Sequence, residues 1–207
     1  MNPNPINQWI SYPTSLSGST VNLLPLEEQH LEELEAIAQD PRIWEHYPFD
    51  LSRSARFREV FRSAIPEREQ GRQFPLVIAN RQTGKLMGST RFLDIQPQHK
   101  KLEIGFTWLH PNYWGTGVNL ECKLLLLTYC FEKLGAARVQ LKTDEQNLRS
   151  RKAIKKIGGK FEGILRQDIL RDDGTYRSSA YFSILNYEWP QCKIRLSELL
   201  SKTSPKS

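Results

Sequence analysis

The sequence predicts a single α/β (α+β) domain built on a central mixed, mostly antiparallel sheet of about seven strands with flanking helices. Three observations support this. A strand over 101–109 leads through a glycine loop and an amphipathic helix to a strand at 138–143, the pattern of a parallel crossover. Strand-like runs flank a turn at 80–84, and a further pair flanks Asp173-Gly174. Hairpin strands are antiparallel, so the crossover supplies the parallel pairing.

Hydrophobic spacing and breaker residues place the elements in order. Those before the crossover are a strand over 20–24, a helix from residue 26 to 40, a helix over 52–69, and hairpin strands over 74–79 and 85–95. Those after it are a helix that Asn147 caps and Gly158-Gly159 end, and strands over 161–170 and 175–189. Pro66 is expected to end or bend its helix, because proline lacks the N–H that continues the hydrogen bonding.

Length and composition indicate one domain. The chain has 207 residues, of which 39% are apolar, enough for one substantial core. We expect a flexible lead over 1–18, the domain over 19–190 and a C-terminal tail over 191–207. The formal charge of +6 is compatible with a phosphorylated partner but is too weak a signal to predict nucleic-acid binding, and none is expected.

Metal and membrane signals are missing from the sequence. Cys122, Cys130 and Cys192 show no CxxC spacing, and the four histidines show no paired spacing, so no metal site is predicted. The odd number of cysteines fits a reducing compartment. No run of 18 apolar residues occurs, and the N-terminus has no basic segment followed by an apolar core. We therefore expect a soluble cytoplasmic protein that does not bind a membrane.

The glycine loop is the first candidate for a binding site. Gly115 and Gly117 stand between the central strand and the following helix, so the first amides of that helix are free to bind an anion. Glycines let the backbone approach a ligand such as a phosphate. An ordinary strand-to-helix turn explains the same two glycines equally well.

The order of elements, with two motifs, resembles the GNAT superfamily of acyl-CoA-dependent N-acyltransferases. The motifs are EIGFTWLHPNYWGTG and KTDEQNLRSRKAIKKIGGKFEGILR, and the resemblance covers about 20–188. Within the superfamily the chain looks closest to the branch of ribosomal-protein N-terminal acetyltransferases. The resemblance implies acetyl-CoA as cosubstrate, no metal, an amine as acceptor, and either a monomer or a homodimer.

The resemblance also implies a set of cofactor-binding residues. They are Trp108, Leu109, Asn112, Trp114, Gly115, Thr116, Gly117, Val118, Asn147 and Arg149. The family signature of the loop begins with Gln or Arg where this chain has Asn112, which puts a side-chain contribution of Asn112 in doubt while leaving the backbone amides in place. Trp108 would act through its backbone, and its side chain is expected in the core. Asn147 is equally explained as a helix N-cap.

Two residues are implied as catalytic. Glu103 stands where several family members carry a glutamate that deprotonates the amine, and a surface or ion-paired glutamate is the alternative. Many members protonate the leaving thiolate with a tyrosine, but Ile154 occupies that position here. The ribosomal branch can use an earlier serine of the same helix, which matches Ser150, although a plain helix serine is as good an explanation. Strict alternation along the strand would place Glu103, Gly105 and Thr107 on one face.

The free energy of deprotonation bears on the acceptor. At pH 7 it costs roughly 1.4 kcal/mol for a peptide α-amine and roughly 4.6 kcal/mol for a lysine side chain, so a site without an obvious acid favours the α-amine. A small amine or an antibiotic remains an alternative acceptor. Trp44, Tyr47 and Phe49 are core aromatics or a substrate wall.

Other classes of function stay open. The chain could be a catalytically weakened acyl-CoA-binding sensor or interaction module, an alternative to which Ile154 and Asn112 lend support. A nucleotide-phosphate enzyme is disfavoured because the sequence has no GxxxxGK[ST] motif.

Overall fold

A computed structural model describes residues 9–53 and 55–203 of the chain. Its strands are β1 Leu16–Ser17, β2 Val21–Pro25, β3 Phe74–Asn80, β4 Leu86–Gln96, β5 Lys101–Leu109, β6 Arg138–Asp144, β7 Lys160–Leu170 and β8 Tyr176–Leu185. Its α-helices are α1 Leu31–Ile37, α2 Ala55–Arg62, α3 Ala64–Glu69, α4 Val118–Thr128, α5 Leu148–Lys156 and α6 Trp189–Ser201. A π-helical turn, Tyr129–Lys133, extends α4.

The strands form one eight-stranded sheet in the order β1-β2-β3-β4-β5-β6-β8-β7. Strands β5 and β6 pair in parallel, and the other neighbouring pairs are antiparallel. The predicted mixed sheet and its parallel crossover are confirmed. The strand beyond the predicted seven is the two-residue β1, too short to give a periodic pattern.

Helices cover the sheet on both faces. Apolar residues of α4, α5 and α6 pack with one face, and those of α1, α2 and α3 pack with the other. Glu121 of α4 is only 5% exposed, and its carboxylate accepts hydrogen bonds from the main-chain amides and hydroxyls of Ser19 and Thr20. Burial would raise the pKa of Glu121, but these hydrogen bonds outweigh it and hold the pKa below its ordinary value. They tie the start of α4 to the turn before β2.

Two elements differ from the prediction because of proline. The expected helix over 52–69 is two helices that meet at Ser63, so the interruption expected at Pro66 occurs three residues before it. Pro66 cannot donate to the carbonyl four residues earlier, so the chain breaks before it and Pro66 falls in the first turn of α3. The predicted last strand ends at Leu185 rather than Trp189, because Trp189 and Pro190 begin α6, where a proline is tolerated.

The described residues of both predicted terminal segments pack against the domain. Residues 1–8 of the expected lead and 204–207 of the expected tail lie outside the described residues. Within the lead, Trp9 donates its indole N–H to the carbonyl of Leu134, and β1 pairs with β2. Most of the tail forms α6, which buries Cys192 and Leu196 against the core. The proposed domain limits at residues 19 and 190 remain predictions.

Candidate active site

An opening in the sheet lies between β5 and β6. The two strands pair only over their first three residues, from Lys101 opposite Arg138 to Glu103 opposite Gln140. Beyond Glu103, β5 runs on to Leu109 without β6 beside it, so its main chain presents an open edge. An unpaired strand edge offers amides and carbonyls to an extended ligand.

A bulge in β5 changes which side chains face each side. Ser89 lies opposite Trp108, but Arg91 lies opposite Gly105, so β5 has one extra residue between these pairs. Phe106 adopts a left-handed φ of +49° there. The predicted strict alternation of β5 side chains between the two faces of the sheet is therefore wrong. Phe106 packs with the α1–α3 layer, whereas Thr107 contacts Lys123 of α4 and does not share the face of Glu103.

Carbonyls on the open edge are held by two aromatic side chains. The hydroxyl of Tyr47 donates to the carbonyl of Thr107 at 3.0 Å, and the indole N–H of Trp114 donates to the carbonyl of Leu109 at 2.9 Å. Trp108 lies opposite Ser89 in β4, and its buried indole packs against rings of the α1–α3 layer, as expected for a core aromatic. Of the two residues predicted to contact the cofactor through their backbone, Leu109 is the one whose carbonyl is hydrogen-bonded to the glycine loop.

The glycine loop presents free amides at the start of α4. Gly115 has a left-handed φ of +75°, and a Cβ there would meet nothing within 4 Å. Within residues 9–53 and 55–203, the main-chain amides of Gly115, Thr116 and Gly117 donate no hydrogen bond. Asn112 is exposed. Unpaired amides at a helix start suit the oxygens of a pyrophosphate, so the loop fits the group that acetyl-CoA would bring.

The loop and the second motif touch each other. The guanidinium of Arg149, in the first turn of α5, stacks at 3.9 Å over the ring of Trp114. Asn147 caps α5, since its side-chain oxygen accepts from the amide of Ser150 at 2.9 Å. Trp114 therefore links the end of β5 to α5, through its hydrogen bond to Leu109 and its ring contact with Arg149. Two further predicted cofactor residues, Gly115 and Asn147, are chain neighbours of this pair.

Glu103 lies at the point where β5 and β6 separate. It is 3% exposed, accepts a hydrogen bond of 2.9 Å from the side-chain amide of Gln140, and lies 3.8 Å from the Nζ of Lys142. Burial raises the pKa of Glu103 above its ordinary value, although Lys142 and Gln140 oppose that shift. Within the described chain, no hydrogen bond joins Glu103 to Ser150, which stands half-buried in α5.

Three buried cations at the opening were not predicted. Lys123 interrupts an apolar helix face, and Arg91 and Arg177 stand inside strands. The Nζ of Lys123 donates to the hydroxyl of Thr107 at 3.1 Å, and burial lowers the pKa of Lys123 to about 8. A cation inside an apolar run was a signal in the sequence, but the same pattern also arises when a long side chain reaches out to solvent.

The described residues show neither a metal site nor a membrane span. Among the described residues, no three His, Cys, Asp or Glu side chains come together as metal ligands do. In that same part of the chain, no helix has the length and apolar character needed to cross a bilayer. Cys122, Cys130 and Cys192 are buried free thiols.

Known proteins share this sequence and fold. The model of the acetyltransferase (GNAT) domain family matches residues 20–160, more than half of the chain. A Bacillus licheniformis protein named "Uncharacterized N-acetyltransferase p20" is 27% identical over 173 residues, which cover 80% of this chain and 94% of that protein. A crystal structure of a GCN5-related N-acetyltransferase from Brucella melitensis superposes with a TM-score of 0.84 at 25% identity, covering 99% of this chain and 90% of that one.

Two further relatives are named for different acceptors. The "Putative ribosomal N-acetyltransferase YdaF" of Bacillus subtilis is 32% identical over 106 residues, 51% of this chain and 57% of that protein. The spermidine N(1)-acetyltransferase of Escherichia coli K12 is 23% identical over 176 residues, 84% of this chain and 90% of that enzyme. The family match, the full-length fold and the loop geometry agree, and the chain belongs to the GNAT family of acyl-CoA-dependent acetyltransferases.

Proposed function

We propose that the protein transfers an acetyl group from acetyl-CoA to the α-amine of a peptide or protein N-terminus by direct attack. The observation that carries this proposal is the open edge of β5, which runs from Glu103 to the free amides beside Gly115. A single strand and its loop thus carry, in order, a proton acceptor at Glu103, an open strand edge and an anion site beside Gly115. The relation to YdaF supports a protein N-terminus as the acceptor.

Binding of the cosubstrate is assigned to the loop and α5. The amides of Gly115, Thr116 and Gly117, with the start of α4 at Val118, would hold the pyrophosphate, and Arg149 would add a positive charge. Leu109 and Trp108 would border the pantetheine arm, with Asn147 near its thiol end. When bound there, acetyl-CoA supplies the thioester carbonyl that the amine attacks.

Glu103 is assigned as the base. Its carboxylate would accept the proton of the α-ammonium group, directly or through a water molecule, and Gln140 keeps it oriented toward β6. Burial raises its pKa, so its carboxylate is a better proton acceptor than that of an exposed glutamate. Ser150 is assigned as the group that protonates the departing thiolate. A thiolate leaves readily, so this second role contributes less to the rate.

The proposal is tested by thiol release from acetyl-CoA with a matched set of amines. One peptide with a free N-terminus and an internal lysine is compared with the same peptide blocked at its N-terminus, and with spermidine and an aminoglycoside. We expect thiol release with the free peptide and little with the blocked one. Equal rates with both peptides would assign the lysine instead. Tight CoA binding with no release from any amine would favour the sensor module.

A further inference from the structure

Arg91 has an unused hydrogen-bonding edge although it is buried. It is 5% exposed in β4, its guanidinium stacks at 4.0 Å over Phe106 and 5.0 Å from the ring of Phe61, and its Nη1 donates to the side-chain oxygen of Gln73 at 3.0 Å. Its Nε and Nη2 have no hydrogen-bond partner among the described residues. These two nitrogens lie on one edge of the guanidinium, the edge that binds a carboxylate with two parallel hydrogen bonds.

Arg91 forms no ion pair with a carboxylate among the described residues. No described carboxylate lies within 4 Å of it, and the Glu67 carboxylate is reached only through Gln73, whose amide nitrogen donates to Glu67. Burial lowers the pKa of Arg91 to about 10, with Tyr47 and Glu67 opposing the shift. A buried guanidinium with two unused donors is costly unless an anion completes it.

The position of Arg91 places it beside the proposed reaction site. It lies opposite Gly105 in the neighbouring strand, two residues from Glu103. A Cβ at Gly105 would come within 2.5 Å of the Glu103 carboxylate, so only a glycine leaves room for that carboxylate in its present position. Arg91 itself is buried, whereas Phe106, which covers its guanidinium, is partly exposed, as is Tyr47, whose ring contacts Phe106. A ligand would therefore reach the guanidinium past these two rings.

A second arginine reinforces the positive field. Arg177 of β8, 8% exposed, donates to the carbonyl of His46 at 3.3 Å and to the hydroxyl of Ser179 at 3.1 Å, and its Nε is unpartnered within the described residues. Burial raises the pKa of the Tyr47 hydroxyl, and the charges of Arg91 and Arg177 both oppose that shift. Asp144 and Asp168 act on Arg177, but Asp144 is already ion-paired with Arg171.

We infer that Arg91 binds a carboxylate of the acceptor, so that the preferred substrate is an amine with a carboxylate near its amino group. This inference rests on the proposed acetyl transfer to an α-amine. Two acceptors carry that chemistry: a free amino acid, through its α-carboxylate, and a peptide with an acidic residue at its N-terminal end. Spermidine, the acceptor named for one relative, has no carboxylate and would meet two buried cations here.

The first test measures binding, which does not depend on turnover. With CoA present, calorimetry compares glycine with glycinamide, and the amidated peptide Ser-Glu-Ala with amidated Ser-Gln-Ala. The wild type should bind the carboxylate member of at least one pair ten-fold or more tightly, and the pair that shows the preference identifies the source. Equal affinity within both pairs, or tighter binding of spermidine than of every carboxylate, would overturn the inference.

Variants assign the preference to Arg91. Arg91→Gln should abolish the preference for the carboxylate member of each pair. Arg91→Lys, which keeps the charge but loses the two-donor edge, should reduce that preference. Arg62→Gln, an exposed arginine of α2, is the control and should keep it. A preference that survives in folded Arg91→Gln would contradict the inference, and the wild-type pairs decide the question if both variants misfold. Acetyl-CoA titration and thiol release report separately on the proposed function.

Discussion

The hydroxyl of Tyr47 donates a 3.0 Å hydrogen bond to the main-chain carbonyl of Thr107, which follows the bulge in β5. The hydroxyl of the same threonine accepts from the Nζ of Lys123 at 3.1 Å. The strand is thus held from both faces of the sheet at the point where β6 has left it. The Tyr47 contact joins the loop before α2 to the open edge, which gives that loop a defined position beside the proposed acceptor site.

Tyr47→Phe should loosen this loop. It removes one buried hydrogen bond and leaves the Thr107 carbonyl unpaired, so we expect a loss of about 1 kcal/mol in the free energy of unfolding. The KM for the amine should rise, while the Kd for acetyl-CoA should stay the same. Urea unfolding, steady-state kinetics and calorimetry measure the three quantities. A changed Kd for acetyl-CoA with an unchanged amine KM would place Tyr47 on the cofactor side instead.

Glu103→Gln should separate catalysis from stability. Loss of a general base lowers kcat by about 10²-fold or more, and it should remove the acidic limb of the pH profile, whose midpoint in the wild type lies above the ordinary glutamate pKa. Because the pKa of Glu103 is higher in the folded than in the unfolded state, stability falls as the pH rises from the unfolded value through the folded one, and the full cost of ionising Glu103 is present above both. The variant should therefore be at least as stable as the wild type at pH 7.

Glu162→Gln is the matched control for this experiment. Glu162 is a strand glutamate of β7 that is ion-paired with Arg138, more exposed than Glu103 and outside the proposed site. Its substitution should leave kcat and the pH profile unchanged. If Glu103→Gln keeps the wild-type kcat, Glu103 is not the general base.

Lys123→Met should stabilise the protein in a pH-dependent way. Lowering the pKa from 10.5 to about 8 corresponds to a cost of about 3 kcal/mol when the buried lysine is protonated. The variant should be more stable than the wild type by about 1–3 kcal/mol at pH 7, after allowance for the lost hydrogen bond to Thr107. The neutral lysine is favoured in the folded state, so wild-type stability should rise between about pH 8 and pH 10.5 and the difference should shrink. Urea unfolding across that pH range measures the difference in stability between the variant and the wild type. A difference that stays constant would contradict the lowered pKa of Lys123.

The sequence predicts much of the fold because local rules and tertiary structure agree in most elements. The limits of β5 are those predicted, since the strand is rich in Ile, Phe, Thr and Trp and Pro111 follows shortly after. Helix α5 begins after Asn147, as its capping side chain indicates. The break at Ser63 and the start of α6 at Trp189 are less visible, because proline permits several solutions within a few residues.

The candidate site is only partly predictable for a different reason. The glycine loop and the Asn147 motif are contiguous in sequence, so local patterns and family resemblance reveal them. Arg91, Arg177 and Tyr47 come from β4, β8 and a loop. Only the folded chain brings Arg91 and Tyr47 against β5, and Arg177 against the loop that carries Tyr47. The bulge at Phe106 is equally hidden, since phenylalanine gives no sign of a left-handed conformation.

The central claim, that the glycine loop binds the pyrophosphate of acetyl-CoA, is tested most directly by calorimetric titration of acetyl-CoA into wild type, Thr116→Gln and Thr116→Glu. Thr116 is exposed in the loop, whereas a side chain at Gly117 would run into Thr203 of the C-terminal segment. The two variants differ only in charge. We predict binding by the wild type and by Thr116→Gln, and a loss of at least about ten-fold, or 1.4 kcal/mol, in Thr116→Glu. Equal binding by both variants, or no binding by the wild type, would contradict the account.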